Sequence, residues 1–427
     1  MTKRTKVNVI GLGYVGLPTA AIVATNGMDV VGVDVHQQTI ATVNSGQSHF
    51  VEAELDTLLR AVVASGKLRA TNVPEPGECF IIAVPTPLRE GTCEPDLSQV
   101  ESAACSIAPV LAAGNLVVLE STSPVGTTQR VSEILANLRP DLKFPLAIRS
   151  KTPTSSKCQS EEVDVHVAHC PERVMPGRML RELIENDRVI GGMTPACASA
   201  AQEFYSRFVR GECILTDART AEMSKLAENA FRDVNIAFAN ELSVICDCAG
   251  VDVWELIRLA NRHPRVNILH PGPGVGGHCI AVDPWFLISG RPVDARLIPA
   301  ARKVNDAMPS RVVNRILDAV GENQNPVIAC LGLAFKPDID DLRNSPALTI
   351  VQSLAERHAG EVLVVEPHID VLPPALAERT NIQLVSLDTA LRRGDVVALL
   401  VHHRQFIDLD ASRLQGKAII DTRGIWD

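Results

Sequence analysis

The strongest constraint on the fold is a short apolar run that leads directly into a glycine pattern near the amino terminus. Val7–Ile10 is followed by Gly11–Gly16, which matches G-x-G-x-x-G, and then by an amphipathic segment, Leu17–Asn26. A strand that turns through such glycines into a helix lets the backbone approach a pyrophosphate. Asp34 closes the next apolar run, near the position about 20 residues on where an acid binds ribose. The pattern predicts a dinucleotide site, and a glycine turn without a ligand is the alternative.

Apolar runs alternate with amphipathic segments through the first half of the chain. After Val7–Ile10, further strands are predicted at Val30–Val33, Phe80–Val84, Leu116–Leu119, Val163–His169 and Arg188–Gly192. We expect Arg188–Gly192 to be the last strand of this domain. The alternation is typical of βαβ units and predicts a parallel, doubly wound sheet. An acid at Asp34 with no arginine directly after it favours NAD over NADP.

A long helical pattern separates the two halves of the chain. It runs from Ala218 to about Cys248, after Thr216 and Asp217 as candidate caps, and Gly250 ends it. At about 1.5 Å per residue such a helix is about 45 Å long, more than one small domain needs. We therefore expect a central helix that joins two lobes and buries a dimer interface.

A second βαβ-like half follows. Strands are predicted at Val327–Gly332, Val362–Glu366, Val396–Val401 and Ala418–Asp421, and a helix at Pro346–Arg357. The predicted fold class is α/β, with two Rossmann-like doubly wound parallel-sheet domains joined by a long central helix. The turn after the first strand of this half lacks G-x-G-x-x-G, so a different ligand is expected there.

Composition narrows the functional classes. The chain has 427 residues, of which 46% are hydrophobic, and a net charge of -9, which predicts several globular domains and argues against nucleic acid as the main partner. No apolar run approaches the roughly 18 residues of a membrane span, and the amino terminus lacks a signal-peptide core, so we expect a cytoplasmic protein without a membrane partner. Residues 149–162 are rich in Ser, Thr and Lys and predict an exposed loop, to which we assign no role.

Cys279 closes a run dense in glycine and proline, Pro271-Gly272-Pro273-Gly274-Val275-Gly276-Gly277-His278-Cys279. Such a run forms neither helix nor strand, so it predicts a shaped loop that holds a thiol where a ligand can approach. That thiol is a candidate nucleophile, whereas the other cysteines are best explained as small hydrophobes. A hydride acceptor and a covalent nucleophile together would allow one site to oxidise an alcohol through an aldehyde to an acid.

Two further sets of polar residues are candidates for the same chemistry. Lys225, Asn229 and Arg232 project from one face of the long helix, where they could stabilise an oxyanion and bind a polar sugar. The alternative is a solvated face, although the neighbouring residues are too apolar for a freely exposed helix. Glu172 follows a predicted strand end, so it is either a base that activates water or a surface acid paired to Arg173.

Several segments together resemble the UDP-glucose/GDP-mannose dehydrogenase family over essentially the whole chain. They are Gly11–Gly16, Val84–Pro87, Glu120–Thr128, Lys225 with Asn229, Gly276–Cys279 with Asp283, and Phe335-Lys336. Four further segments resemble the branch of the family that acts on UDP-N-acetylhexosamines: Cys170–Val174, Phe231–Ile236, Asn261–Leu269 and Pro271–Pro284. Within that branch the resemblance favours the manno configuration.

The resemblance implies a role for individual residues. Cys279 would be the nucleophile, Lys225 the proton-relay and oxyanion residue, Asn229 and Asp283 its partners, and Glu172 the group that assists thioester hydrolysis. The residues implied at NAD are Gly11, Gly13, Tyr14, Val15, Gly16, Asp34, Thr86, Thr122, Thr128 and Arg343. Those implied at the nucleotide sugar are Arg173, Val174, Lys225, Asn229, Arg232, His263, Arg265, Gly276, Phe335, Lys336 and Arg423. No metal is implied.

The implied activity is an NAD-dependent four-electron oxidation of C6 of UDP-N-acetyl-D-mannosamine to the uronate, through a thiohemiacetal and a thioester on Cys279. The resemblance also implies a homodimer, a role in surface polysaccharide synthesis, and three domains: 1–212 for NAD, 213–312 for dimerisation and 313–427 for the UDP-sugar. One alternative is UDP-N-acetylglucosamine 6-dehydrogenase, which differs at C2 of the sugar. Others are a non-catalytic nucleotide-sugar binding protein and a two-electron dehydrogenase, neither of which gives Cys279 a role.

Overall fold

The computed structural model describes residues 5–50, 52, 54–146, 162–175, 177–289, 293–320 and 325–426. The polar loop predicted over 149–162 lies outside the described residues, except for its last residue. The chain divides into two compact units, Met1–Glu228 with Trp285–Arg291 and Asn229–Pro284 with Pro292–Asp427. Among the described helices, none is both long and apolar enough to cross a membrane.

The first unit contains an eight-stranded sheet. Its strands are β1 (Lys6–Ile10), β2 (Asp29–Val33), β3 (Leu68–Thr71), β4 (Cys79–Ile82), β5 (Asn115–Leu119), β6 (Val165–His169), β7 (Arg188–Gly192) and β8 (Cys213–Asp217). They are ordered β3-β2-β1-β4-β5-β6-β7-β8. Every neighbouring pair is parallel except β6 with β7. The predicted doubly wound sheet is confirmed, with one antiparallel pair that the pattern did not reveal.

The prediction that Arg188–Gly192 ends this sheet is wrong, because β8 pairs with it in parallel. The sequence signal for β8 is weak for a physical reason. It is an edge strand, and Ile214 and Leu215 remain 43% and 41% exposed. An edge strand that is not buried on both faces need not be a continuous apolar run.

Helices cover both faces of the first sheet. They are α1 (Gly16–Thr25), α2 (Gln37–Asn44), α3 (Leu55–Ala64), α4 (Ser98–Ile107, followed by a 3₁₀ turn at Ala108–Val110), α5 (Thr127–Leu138), α6 (Met179–Glu185) and α7 (Pro195–Tyr205). Alternate strand residues enter different apolar clusters: Val7 and Val9 pack with Leu17 of α1, whereas Ile10 packs with Phe80. This two-sided burial explains why the strands read as unbroken apolar runs.

The long helix is present as predicted, as α8 (Ala218–Ala249). Asp217 caps its first turn, because its Oδ1 accepts a hydrogen bond from the Thr220 backbone N at 3.0 Å. Gly250 follows the helix with a φ of 67°, a conformation that favours glycine. The next helices are α9 (Val253–Ala260), α10 (Asp283–Ser289) and α11 (Leu297–Val320).

The second unit contains a fully parallel five-stranded sheet. Its strands are β9 (Ile328–Leu331), β10 (Val362–Val365), β11 (Ile382–Leu384), β12 (Val396–Leu399) and β13 (Ala418–Asp421), ordered β11-β10-β9-β12-β13. The helices are α12 (Pro346–Arg357), α13 (Pro374–Ala377), α14 (Leu387–Arg393) and α15 (Arg404–Ile407), with a 3₁₀ turn at Ala411–Leu414. The strand order reverses between β9 and β12, and open α/β sheets bind ligands outside the carboxyl ends of the strands at such a point.

Candidate active site

The glycine turn after β1 has the geometry of a phosphate-binding turn. Gly11 has a φ of 92°, and a Cβ there would lie 2.6 Å from the Ala83 carbonyl oxygen. A Cβ on Gly16 would lie 1.8 Å from the Gly11 carbonyl oxygen. Side chains are therefore excluded at both positions, which leaves the backbone at the N-terminus of α1 open to a pyrophosphate.

Asp34 lies beside this turn, as the spacing predicts. Its Oδ2 accepts a hydrogen bond from the Leu12 backbone N at 3.0 Å, and its Oδ1 accepts one from the His36 backbone N at 2.9 Å. These two bonds fix the carboxylate at the carboxyl end of β2, where an acid can bind the hydroxyls of a ribose. Tyr14 stacks on Phe50 with ring centroids 4.3 Å apart. The glycine turn and Asp34 together fit a dinucleotide.

Three of the predicted NAD residues follow β4 and β5, and the structure brings two of them together. The Thr86 hydroxyl donates to the Thr122 carbonyl oxygen at 2.6 Å. Both lie at the carboxyl edge of the sheet, where the strand order reverses between β1 and β4. Thr128 is instead fully buried, and its hydroxyl donates to Glu222 Oε1 at 2.6 Å.

Glu222, on α8, is a residue that sequence reasoning missed. Its carboxylate also accepts from the backbone N of Thr128 at 2.7 Å and of Gly126 at 2.6 Å, so it caps the start of α5. Burial raises the pKa of Glu222, against the effect of these hydrogen bonds. Glu222 is far from Thr128 in the chain, so no local sequence signal could have identified the contact.

In the second unit, the loop that carries Cys279 packs on the turn after β9. A Cβ on Gly277 would lie 2.8 Å from the ring of Phe335, and one on Gly276 would lie 2.5 Å from the Asn344 carbonyl oxygen. Glycine is thus required at positions 276 and 277, because any side chain there would collide with Asn344 or Phe335. The Cys279 side chain is half-buried.

Arg423 packs against the start of the same loop. A Cβ on Gly272 would lie 2.6 Å from its Nη1, and its Nε donates to the Leu400 carbonyl oxygen at 3.2 Å. Burial lowers the pKa of Arg423 to about 10, so the guanidinium stays charged at neutral pH. The structure therefore gathers Gly276, Phe335 and Arg423, three residues implied at the nucleotide sugar, around one loop, and Lys336 follows Phe335.

The acid and the amide predicted to act with Cys279 are in contact. Asn229 Nδ2 donates to Asp283 Oδ2 at 2.5 Å, and the two residues are only 7% and 3% exposed. The Asp283 backbone N donates to the Cys279 carbonyl oxygen at 2.8 Å. Lys225, on the same helix as Asn229, is 8% exposed, so this part of α8 is not a solvated face.

Arg343 lies near the residue that precedes the thiol. Its Nε and Nη2 donate to the two carboxylate oxygens of Asp341 at 2.9 and 2.6 Å, and Nη2 lies 3.2 Å from His278 Nδ1. The pKa of Asp341 is lowered, because hydrogen bonds and charge from Arg343 outweigh the opposing effect of burial. The predicted contact of Arg343 with NAD stays a prediction.

The surface pairing considered for Glu172 is not formed. Arg173 pairs with Glu228, with 2.8 Å between Nη2 and Oε1, and Glu172 accepts a hydrogen bond from the Val174 backbone N. Three other residues implied at the sugar are exposed: Arg232, His263 and Arg265. The Arg265 backbone N donates to His263 Nδ1 at 3.3 Å.

Comparison with known families identifies the chain. Residues 5–209 match the NAD binding domain, residues 219–307 the central domain and residues 329–427 the UDP binding domain of one family. The chain belongs to the UDP-glucose/GDP-mannose dehydrogenase family. It is therefore an NAD-dependent dehydrogenase that acts on a nucleotide sugar, and the resemblance found in the sequence is confirmed.

Individual relatives cover nearly the whole chain. The NDP-N-acetyl-D-galactosaminuronic acid dehydrogenase of Ralstonia nicotianae is 59% identical over 420 residues, 98% of this chain and 96% of that protein. The UDP-N-acetyl-D-mannosamine dehydrogenase of Campylobacter jejuni is 55% identical over 414 residues, 97% of this chain and 99% of that protein. The solved structure of UDP-D-ManNAc dehydrogenase from Pyrococcus horikoshii has a TM-score of 0.86 at 40% identity, with 98% and 96% of the two chains covered.

Proposed function

We propose that this chain oxidises C6 of UDP-N-acetyl-D-mannosamine to the uronate, with Cys279 as the covalent nucleophile. The main support for this proposal is the buried hydrogen bond between Asn229 and Asp283, together with the hydrogen bond from the Asp283 backbone N to the Cys279 carbonyl oxygen. A protein that only binds a sugar needs no such arrangement. The relative from Campylobacter jejuni and the structure from Pyrococcus horikoshii support the manno configuration.

In the proposed reaction, Cys279 and Glu172 act at successive steps of the oxidation and hydrolysis. NAD, when bound, accepts a hydride in each of the two oxidations, and the proton of the oxidised hydroxyl leaves through Lys225, the proton relay. The Cys279 sulfur adds to C6 of the intermediate aldehyde to form a thiohemiacetal, and after the second oxidation it is bonded to C6 as a thioester. Water then attacks the thioester carbon and the Cys279 sulfur leaves, which releases the acid and regenerates the thiol. Glu172 assists this hydrolysis as the base that takes a proton from water.

Lys225 and Asn229 act on the oxygen of C6. Each can donate to that oxygen when it carries negative charge, and one well-placed donor is typically worth about 3 kcal/mol. Asp283 accepts from Asn229 Nδ2 and so orients the amide. The covalent adduct with Cys279 keeps the reactive aldehyde from leaving the enzyme.

A second candidate substrate has the N-acetyl-D-galactosamine configuration. It is favoured by the relative from Ralstonia nicotianae, which is more identical to this chain than the mannosamine enzyme from Campylobacter jejuni. The gluco epimer is a third candidate, because it differs from the manno compound only at C2.

The deciding experiment measures NADH formed per sugar with UDP-N-acetylmannosamine, UDP-N-acetylgalactosamine, UDP-N-acetylglucosamine and UDP-glucose. We expect two NADH per sugar and the highest kcat/KM with the manno compound. A higher kcat/KM with another epimer would reassign the substrate. One NADH per sugar would indicate a two-electron dehydrogenase, and none with any compound would indicate a binding protein.

The covalent step has its own test. Cys279→Ser is expected to abolish acid formation while NAD binding stays near normal, because an alkoxide forms and leaves far less readily than a thiolate. The matched control is Cys93→Ser, since Cys93 is an exposed cysteine outside the candidate site. Acid formation by Cys279→Ser at the wild-type rate would refute the thioester mechanism.

The remaining parts of the proposal concern the whole protein. We propose a homodimer in the cytoplasm whose product serves surface polysaccharide synthesis. We also propose the division at 1–212, 213–312 and 313–427, which the three family domains support, although β8 (Cys213–Asp217) belongs to the first sheet and extends the first domain to residue 217. Three exposed apolar residues of α8 support dimerisation: Phe231, Phe238 and Ile245.

A further inference from the structure

A buried chain of hydrogen bonds leads from two helices to the loop that carries Cys279. Arg302 Nη1 and Asn305 Nδ2 donate to Asp233 Oδ1 at 2.6 and 2.8 Å. Asn240 Nδ2 donates to Asn305 Oδ1 at 2.8 Å, and the Gly272 backbone N donates to Asn240 Oδ1 at 2.9 Å. All four side chains are at most 2% exposed.

The direction of each bond in this chain is determined by its neighbours. Asp233 Oδ1 accepts from Arg302 and from Asn305, so Asn305 must turn its NH₂ group toward it and its oxygen toward Asn240. Asn240 must then donate to that oxygen, which leaves its own oxygen facing Gly272. The orientation of the Asn240 amide is thus fixed by an ion pair on the far side of Asn305.

A backbone N–H group donates a hydrogen bond at each end of the loop. Gly272 is held by Asn240 at the start, and the Cys279 carbonyl accepts from the Asp283 backbone N at 2.8 Å at the end. Between them the loop lies against Phe335, with no space for a Cβ on Gly277. Loss of the first attachment removes the hydrogen bond that holds the start of the loop to α8.

We propose that Asn240 is a positioning residue for the nucleophile loop, which it holds at Gly272 so that the Cys279 sulfur meets the aldehyde. The inference rests on the proposed role of Cys279 as nucleophile. The Asn240 side chain is completely buried, so its effect is exerted through the loop. A displacement of about 1 Å of a reacting group can cost about 100-fold in rate, so the attachment matters for capture of the aldehyde.

The test uses Asn240→Leu, which has a similar volume and no hydrogen-bonding groups. The first oxidation should continue, but capture by Cys279 should slow, so the aldehyde should escape and be trapped as an oxime by hydroxylamine. We expect about tenfold more oxime per NADH than in wild type. Alkylation of Cys279 by iodoacetamide, followed by mass spectrometry of its peptide, should also change in rate. A purely structural defect would lower active enzyme without changing oxime per NADH.

The matched control is Asn115→Leu. Asn115 is also a buried amide, 6% exposed, whose Oδ1 accepts from the Ala112 backbone N at 2.7 Å and whose Nδ2 donates to the Gly77 carbonyl at 2.9 Å. It belongs to the first unit, so its loss should leave oxime per NADH at the wild-type value. The same increase in both variants would refute a specific role for Asn240.

A milder variant, Asn240→Asp, serves if the leucine variant fails to fold. Its carboxylate keeps an acceptor for Gly272 but has no donor for Asn305, so a smaller increase in oxime is expected. Wild-type oxime per NADH in every folded Asn240 variant overturns the inference. If Cys279→Ser still forms acid, the proposed function itself fails; if that variant is inactive while the Asn240 variants trap no extra aldehyde, only this inference fails.

Discussion

At the scale of single residues, Asp34 is expected to determine the choice of dinucleotide. Asp34→Arg removes the acceptor for the adenosine ribose hydroxyls and supplies a cation for a 2′-phosphate. The ratio of kcat/KM for NADP to that for NAD should rise by about tenfold or more, as one charge-assisted hydrogen bond is worth about 1.5–3 kcal/mol. Asp318→Arg, an exposed acid on α11, has the same change of charge and should leave the ratio unchanged. An unaltered ratio in Asp34→Arg would show that Asp34 does not reach the ribose.

His169 is expected to make the protein sensitive to acid. It is completely buried at the end of β6, and burial lowers its pKa from 6.5 to about 3. Between these values the unfolded chain binds a proton at this side chain and the folded protein does not, so the free energy of unfolding falls as pH falls through that window.

His169→Leu removes this contribution. The variant should therefore lose less of its unfolding free energy than wild type when the pH is lowered from neutral to mildly acidic values, as measured by urea denaturation at each pH. His36→Leu, which removes an exposed histidine, should retain the wild-type dependence. Equal pH dependence of wild type and His169→Leu would show that His169 is protonated in the folded protein.

At the scale of elements, α8 leaves three large apolar residues exposed along one side. These residues follow one another at intervals of seven: Phe231, Phe238 and Ile245, which are 68%, 50% and 56% exposed. A seven-residue interval returns to the same side of a helix, so they form one apolar stripe. The opposite side carries Asn229 and Asn240, which are buried. Such a stripe is costly in water, and its burial against a second subunit is what the proposed dimer predicts.

Phe238→Glu should therefore weaken the proposed dimer. Burial of a phenylalanine is worth about 1.5–3 kcal/mol, so the dissociation constant should rise by about tenfold or more, as measured by sedimentation equilibrium. Leu138→Glu is the matched control, because Leu138 on α5 is also 50% exposed but lies off the stripe. A dimer of wild-type affinity in Phe238→Glu would place the interface elsewhere.

At the scale of the whole molecule, the family resemblance implies that Arg265 contacts the sugar in the neighbouring subunit's site. Arg265→Ala and Cys279→Ala should each be inactive, and subunit exchange between them should restore part of the activity, through heterodimer sites that carry both residues. Arg262→Ala, an exposed arginine in the same segment, should stay active. If mass spectrometry shows heterodimers and no activity returns, Arg265 acts in its own subunit.

Particular residues show how far the site could be predicted. Gly11, Gly16 and Asp34 were identified because the turn and the strand that place them are close in sequence. Cys279 was identified because its loop is too rich in glycine and proline for regular structure. The attachment of Thr128 to Glu222 and of Gly272 to Asn240 could not be predicted, since each joins distant segments and amide or carboxylate side chains are common on helices.

The sequence by itself determined ten of the thirteen described strands, the helices α1, α8 and α12, and the family, because strands buried on both faces leave unbroken apolar runs and glycine is required wherever a Cβ has no room. The tertiary structure alone decided that β7 runs antiparallel to β6 and that β8 joins the sheet, since pairing direction and edge strands leave no local pattern. It also decided which polar side chains are buried together. In the sequence, nothing distinguishes Asp233, Asn240 and Asn305 from ordinary polar residues of a helix. In the folded protein they are buried away from water, so their hydrogen bonds have to be made within the protein.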